Sequence, residues 1–184
     1  MRNIMNTTST DTKKTALSRG EVRFLTITAL FVALTYVFTA FINIRLPLAA
    51  NGGLVHLGNI PLFLCAILFG KKSAAIAGGV GMGLFDLLSG WTAWAPFTLV
   101  IVGLMGFTVG LITEKHRGIL WNVLAVAAAA LIKVTGYYIA EGILYGNWLA
   151  PVTSIPGNLV QIGIAAVIVL LIAEPLKKAV THYV

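Results

Sequence analysis

Long apolar runs alternate with short polar segments along the chain, and they predict six membrane-spanning helices. Most runs approach the roughly 18–20 residues that a helix needs to cross the hydrocarbon core of a bilayer. The predicted spans are Phe24–Phe41, Ile60–Gly70 with an irregular start near Val55, Ala74–Leu88, Pro96–Thr113, Ile119–Leu144 and Ile155–Ala173. Prolines lie in first turns, in loops or, for Pro175, just after the last span. The predicted fold class is all-α integral membrane, a six-transmembrane-helix bundle.

Basic residues cluster at the ends of the apolar runs and predict the orientation of the chain. With the N-terminus inside, every Lys and Arg except Arg45 and Lys133 falls on the cytoplasmic side, as the positive-inside rule requires. An even number of spans then puts both the N- and the C-terminus in the cytoplasm. Residues 1–20 are polar and are expected to form a flexible basic cytoplasmic tail, followed by a single six-helix membrane domain over residues 21–184.

Composition narrows the class of protein. Of the 184 residues, 58% are hydrophobic and only 10% are charged, whereas soluble domains carry about 25% charged residues. The net charge of +7 is explained by the cytoplasmic clusters, so no nucleic-acid partner is predicted. The single cysteine, Cys65, lies in an apolar segment and leaves no disulfide framework or thiolate metal cluster within the chain.

Some short motifs suggest nucleotide binding, but the residues around them do not support that function, and motifs typical of catalysis are missing. Gly79, Gly81 and Gly83 resemble part of a dinucleotide-binding loop, but they lie inside an apolar span, so Ala75, Gly79 and Gly83 indicate a helix-packing face. The segment Gly70-Lys71-Lys72 lacks the first glycine of a phosphate-binding loop. No nucleophile elbow or His-Glu-x-x-His pair is present. We therefore predict no catalytic residue, no metal and no cofactor in this chain.

Ionisable side chains inside the spans are the strongest functional signal, because each is costly in the bilayer unless it faces a cavity or a partner. Lys133 and Glu141 share one face of the fifth span with Tyr137, and Asp86 lies near the end of the third. One interpretation is an Asp86–Lys133 ion pair that, with interhelical hydrogen bonds, only holds the bundle together. The other is a pocket, open to the outside, that orients a small polar molecule.

The outer ends of the spans and the outer connections supply the remaining candidates for such a pocket. Tryptophans at this level are also typical interfacial anchors, so both roles are open for them. The candidate substrate-binding residues are Asn51, His56, Asn59, Asp86, Trp91, Trp94, Lys133, Tyr137, Glu141, Trp148, Asn158 and Gln161.

Several stretches, taken with the six short spans, resemble the substrate-specificity (S) component of an energy-coupling factor (ECF) transporter. They are Gly52-Gly53-Leu54-Val55-His56-Leu57-Gly58-Asn59-Ile60-Pro61, Phe69-Gly70-Lys71-Lys72, the run from Met82 to Trp91, and Trp94-Ala95-Pro96-Phe97-Thr98. The resemblance is to the branch that holds riboflavin-transporter-like S components and those assigned to hydroxymethylpyrimidine or vitamin B6 forms.

This resemblance implies a vitamin-binding subunit that hydrolyses nothing itself. An ECF coupling (T) membrane subunit and two cytoplasmic ABC-type ATPase subunits, which use the ATP, would complete the transporter in the cell (cytoplasmic) membrane. In this family the first span carries an Ala-x-x-x-Ala face that docks on the coupling subunit, and Ala29 and Ala33 have that spacing. The ligand favoured is hydroxymethylpyrimidine or a pyridoxine (vitamin B6) form, with riboflavin and pantothenate as alternatives.

Two other classes of protein stay open on the sequence. One is an autonomous proton-coupled secondary transporter with Asp86 or Glu141 as the proton carrier, although six spans without an inverted repeat disfavour it. The other is a structural or assembly subunit without a ligand. Uptake by this chain alone under a proton gradient would indicate the first class, and a lack of stabilisation by any vitamin would indicate the second.

Overall fold

The computed structural model describes residues 17–45 and 54–183, which contain six α-helices. The helices are α1 (Arg19–Phe41), α2 (Asn59–Phe69), α3 (Lys71–Leu88), α4 (Ala95–Lys115), α5 (Ile119–Tyr145) and α6 (Ile155–Tyr183). Two short antiparallel strands, β1 (Asn43–Arg45) and β2 (Leu54–His56), form a ribbon between α1 and α2. A 3-10 helix, Ala150–Ser154, precedes α6.

Four stretches of the described residues are long and apolar enough to cross a membrane: α1, α4, α5 and Ala150–Val180, which contains most of α6. The apolar helix α2 is shorter, at 11 residues. The helix α3 has 18 residues but carries Lys71, Lys72 and Asp86, and it falls outside that set. The predicted class of all-α, multi-pass membrane protein is confirmed, and a two-stranded ribbon is added to it.

The start of α1 lies within the predicted tail. Ser18 caps the helix: its hydroxyl accepts a hydrogen bond from the Glu21 N–H at 3.2 Å, and the Glu21 carboxylate accepts one from the Ser18 N–H at 2.8 Å. This capping box satisfies amides that a helix start otherwise leaves without partners. Arg19 and Gly20 are therefore helical, while residues 1–16 of the predicted tail lie outside the described residues.

Two further elements differ from the predictions. No strand is expected between the first two spans, but Ile44 pairs with Val55 at the centre of the β1–β2 ribbon. Such β-branched residues favour strands, and three residues are too few to give a recognisable alternation. The helix α6 also continues through Pro175, which the sequence places beyond the last span, as far as Tyr183. Proline removes one helix hydrogen bond but keeps a φ suited to a helix, so it does not end α6 here.

The apolar core is centred on α2, which packs against α1, α3, α4 and α6. Leu62, Phe63 and Cys65 of α2 are fully buried, as are Val102 and Met105 of α4. The strand β2 leads directly into α2 and also contacts α6. The ribbon is thereby held at the end of the bundle where α3 and α5 finish and α4 and α6 start.

Small residues allow α3 and α4 to approach closely. A Cβ on Gly79 would lie 2.7 Å from the carbonyl oxygen of Leu99, and one on Gly83 would lie 3.6 Å from the Cβ of Leu99. From the other side, a Cβ on Gly103 would lie 3.5 Å from the carbonyl oxygen of Ala75. A backbone carbonyl cannot move away without moving its whole helix. Position 79 therefore has room only for glycine, which carries no side chain. The predicted packing face is confirmed.

Gly70 and Glu114 close the turn between α2 and α3 at the opposite end of the bundle. Gly70 has a φ of +88°, in the region that favours glycine. The Glu114 carboxylate, on the last turn of α4, accepts a hydrogen bond from the Lys71 backbone N–H at 2.8 Å and another from Lys71 Nζ at 2.6 Å. Glu114 thus satisfies an amide in the first turn of α3 and links α3 to α4.

Candidate functional site

A cavity of about 290 Å³ lies at the end of the bundle that carries the β1–β2 ribbon. Its walls come from β2, the end of α3, the start of α4, the second half of α5, the 3-10 helix and the start of α6. The residues that line it are Leu54, Val55, His56, Phe85, Asp86, Trp91, Trp94, Thr98, Lys133, Tyr137, Glu141, Thr153, Ser154, Pro156, Gly157, Asn158 and Gln161.

Most of the predicted substrate-binding residues meet at this cavity. Those on its walls are His56, Asp86, Trp91, Trp94, Lys133, Tyr137, Glu141, Asn158 and Gln161. Asn59 and Trp148 do not line it, and Asn51 lies outside the described residues. The convergence predicted for polar groups of the third, fifth and last spans is therefore present in the fold.

The stripe predicted on α5 faces the cavity along one side of the helix. Lys133 and Glu141 are 1% and 2% exposed, although both are charged residue types. Lys133 Nζ lies 5.5 Å from the centre of the Tyr137 ring, within the range of a cation–π interaction. Burial at this depth is costly unless the charges are compensated by partners or by a bound molecule.

Gln161 links α5 to the ribbon. Its Oε1 accepts a hydrogen bond from Lys133 Nζ, and its Nε2 donates to the backbone carbonyl of Leu54 at 3.4 Å. Gln161 and Lys133 are 2% and 1% exposed, so their contact is buried, while the contact with Leu54 is partly buried. Three separate elements, α5, α6 and β2, are joined through this one amide.

Asp86 and Lys133 face the same cavity without forming an ion pair. Among the described residues, the salt bridge in the structure joins Lys71 and Glu114, at the other end of the bundle. The interpretation in which an Asp86–Lys133 pair holds the helices together is therefore not realised. Each of the two side chains reaches the cavity, where a bound molecule could interact with both.

Two side-chain hydrogen bonds brace the walls, one between two hydroxyl groups and one between a hydroxyl group and a carboxylate. The hydroxyl oxygens of Thr98 and Tyr137 lie 3.0 Å apart and join α4 to α5. Ser154 Oγ donates to the Glu141 carboxylate at 2.7 Å and joins the 3-10 helix to α5. The Glu141 carboxylate is thus part of the wall structure as well as of the cavity lining.

Aromatic rings form one rim of the cavity. The rings of Trp91 and Trp94 meet edge to face, with centres 5.4 Å apart and planes at 82°. Trp94 also meets the ring of Tyr145, with centres 5.8 Å apart and planes at 63°. Such edge-to-face pairs hold each other in place and leave ring faces for other contacts. Trp91 and Trp94 themselves line the cavity.

Trp148 and Asn59 occupy other positions. Trp148 is 54% exposed and packs on Gly142, where a Cβ would lie 2.4 Å from its Cε3 atom. The Tyr138 hydroxyl donates to the Trp148 carbonyl at 2.8 Å, so this indole lies on the outside of α5, as an interfacial anchor does. Asn59 is fully buried because α2, which begins with it, lies inside the bundle.

His56 is the titratable residue that β2 contributes to the cavity. Its Nδ1 accepts a hydrogen bond from the Gly58 N–H at 3.3 Å, which leaves Nε2 as the protonated nitrogen of a neutral ring. Burial lowers the pKa of His56 well below its usual range, and the nearby positive charge of Lys133 lowers it further. His56 therefore offers the cavity a neutral ring.

Several lining residues carry no sequence signal that marked them as candidates. They are Leu54, Val55, Phe85, Thr98, Thr153, Ser154, Pro156 and Gly157. Thr98 lies one helical turn after Trp94, the residue at the start of α4, so both share one face of that helix. This spacing is the sequence signal that could have identified Thr98 as a candidate. Leu54 acts through its backbone carbonyl, which no side-chain pattern reveals.

The lining side chains can orient a small polar ring without any covalent chemistry. Lys133 supplies hydrogen-bond donors, Asp86 an acceptor, Asn158 both, and the tryptophans flat apolar faces. No group of three or more His, Cys, Asp and Glu side chains that could hold a metal ion occurs within residues 17–45 and 54–183. The predicted lack of a metal and of a cofactor stays a prediction.

Ala29 and Ala33 lie on the outer surface of α1, away from the cavity. Both are exposed, whereas Thr28, Thr35 and Thr39 on the other side of the helix are buried against the bundle. The two alanines are therefore not used in packing α1 against the rest of the chain. This stripe of small side chains is free to meet another helix.

A multi-pass helical bundle with apolar outer faces and, at one end, a cavity lined by aromatic and polar side chains defines a membrane-embedded binding component. The chain belongs to the family of ECF-type riboflavin transporter S components, whose model matches residues 20–178. The resemblance of the sequence to S components of ECF transporters is thereby confirmed.

Two curated relatives are similar to the chain. The thiamine precursor transporter HmpT of Lactococcus lactis subsp. cremoris (strain MG1363) is 29% identical over 162 residues, covering 88% of this chain and 92% of the relative. An uncharacterized protein in gap 3′ region of Pyrococcus woesei is 36% identical over 103 residues, covering 56% of this chain and 69% of the relative. The family and the first relative are described as transport components and not as enzymes.

Proposed function

We propose that the chain is the S component that binds hydroxymethylpyrimidine, a thiamine precursor, for uptake by an ECF transporter. The observation that carries the proposal is the cavity, which combines tryptophan faces with buried Lys133, Gln161 and Glu141. The similarity to a thiamine precursor transporter along nearly the full length of both chains supports this choice of ligand.

The size of the cavity favours a one-ring ligand. Ligand pockets usually enclose about 300–1,000 Å³, and about 290 Å³ lies at the small end of that range. Riboflavin has three fused rings and a sugar-alcohol chain, and pantothenate is a flexible chain with no ring to stack on Trp91 or Trp94. Pyridoxine has the right size, but neither curated relative described above is named for it.

The chemical groups of hydroxymethylpyrimidine match those on the walls. Its ring nitrogens accept hydrogen bonds, as Lys133 and the Asn158 amide can provide them. Its amino and hydroxymethyl groups donate, and Asp86 is the acceptor that reaches the cavity without an ion-pair partner among the described residues. The flat ring stacks on an indole face at the rim. We assign to the lining residues predicted from the sequence the role of holding this ligand.

We further propose the topology and the partners that this function requires. All six helices cross the membrane, with α2 packed among α1, α3, α4 and α6, and both termini lie in the cytoplasm. The basic tail precedes one membrane domain over residues 21–184. The exposed Ala29–Ala33 face of α1 docks on the coupling subunit, and two ATPase subunits complete the complex in the cell membrane and use the ATP.

Ligand titration of the purified chain in lipid nanodiscs tests the proposal. We expect hydroxymethylpyrimidine to raise the unfolding free energy by about 2.7 kcal/mol at a hundred times its dissociation constant, and pyridoxine, riboflavin and pantothenate to do so only at higher concentrations. Stronger stabilisation by one of the other three vitamins, or none by any of them, would overturn the assignment of the ligand.

Uptake into proteoliposomes distinguishes the proposed function from a secondary transporter. We expect uptake to require ATP together with the coupling and ATPase subunits. Uptake by this chain alone under a proton gradient would instead assign Asp86 or Glu141 to proton transport.

A further inference from the structure

Gln161 contacts two groups of opposite hydrogen-bonding character. On one side lies Lys133 Nζ, which only donates, and on the other lies the backbone carbonyl of Leu54, which only accepts. A residue between them must accept on one side and donate on the other, and a primary amide does both. Glutamate would keep the bond to Lys133 but would turn an acceptor toward Leu54, and an apolar residue would satisfy neither. The two neighbours therefore explain why residue 161 is glutamine.

We propose that Gln161 is a positioning residue that couples the direction of the Lys133 ammonium to the position of β2. This inference rests on the proposed function, in which Lys133 holds the ligand. The ammonium has three N–H groups; one is directed to Gln161, and the others remain for a ligand in the cavity that Lys133 lines. A ligand that draws on Lys133 therefore acts on Gln161 as well, and through Gln161 on the strand that forms part of the cavity wall.

The coupling is specific to β2, because the 3-10 helix in the opposite wall is held by a separate hydrogen bond. The 3-10 helix is held to α5 by the Ser154–Glu141 hydrogen bond at 2.7 Å, in which Gln161 takes no part. Asn158 lies one turn before Gln161 on α6 and also lines the cavity, but in the part of the chain that the structure describes it makes no hydrogen bond to β2. Asn158 is thus a matched control with the same amide on the same helix.

Hydrogen exchange of the ligand-free protein in nanodiscs, followed by mass spectrometry, tests the link to β2. Gln161→Glu keeps an acceptor for Lys133 and loses the donor to Leu54. We expect exchange over residues 54–57 to become about two- to tenfold faster, the effect of one neutral hydrogen bond. Exchange over residues 150–154 should stay as in the wild type. Asn158→Asp should leave residues 54–57 unchanged. Equal exchange in Gln161→Glu and wild type, or equal acceleration by Asn158→Asp, would overturn the inference.

Lys133→Met tests whether the contact between Lys133 and Gln161 affects hydrogen exchange in β2. A role of Gln161 confined to its own bond with Leu54 would leave this exchange unaffected by that contact. Lys133 donates its hydrogen bond to Gln161, but its charge also acts directly on His56 of β2. Faster exchange over residues 54–57 in Lys133→Met is therefore assigned to Gln161 only by comparison with a background in which Gln161 is already replaced. We expect Lys133→Met/Gln161→Met to exchange no faster in this segment than Gln161→Met alone, because the two changes break one chain of contacts. Wild-type exchange in Lys133→Met, or additive effects in the pair, would refute the coupling.

The two proposals fail separately. The exchange comparisons use no ligand, so they test the coupling role of Gln161 even if hydroxymethylpyrimidine does not bind. If it binds, it should slow exchange over residues 54–57 in the wild type and less so in Gln161→Glu. If Gln161→Glu does not fold, Lys133→Met/Gln161→Met replaces the buried pair by apolar groups of similar shape and leaves only the Leu54 carbonyl without its donor. Its comparison with Gln161→Met carries the same test.

Discussion

The hydroxyl oxygens of Tyr137 and Thr98 lie 3.0 Å apart, and their hydrogen bond joins α5 to the start of α4 in the wall of the cavity. Thr98 is 2% exposed and Tyr137 is partly buried, so the bond is partly shielded from water. The same Tyr137 ring faces Lys133 Nζ at 5.5 Å from its centre. One side chain therefore both braces two helices and sets the environment of the buried cation.

Removing the hydroxyl of Tyr137 should weaken the bundle. Tyr137→Phe loses one neutral hydrogen bond, and we expect the unfolding free energy to fall by about 0.5–1.5 kcal/mol. Thr98→Val should cost at least as much, because the Thr98 side chain also interacts with the Asp86 carboxyl group, and the double variant should cost little more than Thr98→Val alone, since the Tyr137–Thr98 bond is lost in both. Unfolding of the three variants in nanodiscs provides the measurement, and fully additive losses would show that the two hydroxyls act separately.

Asp86 should contribute directly to ligand affinity. Asp86→Ala leaves a hydrogen bond to a charged group unmade, and we expect a loss of about 1.5–3 kcal/mol, roughly ten- to a hundredfold in dissociation constant. Leu87→Ala is the control, because Leu87 is the next residue on α3 but is 52% exposed on its outer side. Titration of both folded variants compares them. An unchanged affinity in Asp86→Ala would assign that carboxylate to structure alone.

The fold could be predicted where it depends on hydrophobic runs and small-residue spacing. These patterns are continuous along a helix, so the places of all six helices and the packing role of Gly79 follow from them. The β1–β2 ribbon could not be predicted, because its strands have three residues each and its pairing depends on contacts across the intervening chain. Pro175 misled the prediction because an interior proline usually kinks or ends a helix, whereas α6 continues through it to Tyr183.

The cavity could be predicted through its charged residues but not through its backbone. Lys133, Glu141 and Asp86 stand out because they are costly in apolar spans. The carbonyl of Leu54 has no counterpart in the sequence, so the contact that Gln161 makes with β2 appears only in three dimensions. Asn59 and Trp148 are predicted to line the cavity but do not. A position near the outer end of a span does not determine which way a side chain points.

The contact between α3 and α4 should not accept a larger residue at position 79. Gly79→Ala places a Cβ 2.7 Å from the Leu99 carbonyl oxygen, and the two helices must separate, which typically costs about 1–3 kcal/mol. Gly163→Ala is the control, because a Cβ there meets nothing within 4 Å and alanine favours a helix. Unfolding measurements should show destabilisation only for Gly79→Ala. Equal stability of both variants would contradict the close approach of the two backbones.

The outer face of α1 should separate transport from binding. Ala29 and Ala33 are exposed and share one stripe of the helix, and the cavity lining includes no residue of α1. A tryptophan in place of Ala33 should block the approach of a partner helix by steric overlap. We therefore expect Ala33→Trp to keep its ligand affinity within about twofold of wild type, which is a smaller free-energy change than the roughly 1 kcal/mol expected of a lost contact. ATP-dependent uptake and co-purification with the coupling subunit should be lost.

Leu131→Trp provides the matched control for this last comparison, because Leu131 lies on α5 and is 69% exposed on the outer surface of the bundle. It adds the same bulky ring at a position outside the proposed docking face, so both ligand binding and uptake should persist. If Ala33→Trp assembles and transports as well as Leu131→Trp does, α1 does not form the coupling surface. If Ala33→Trp instead loses ligand affinity, its exposed position has been misjudged, and the helix supports the cavity through the bundle.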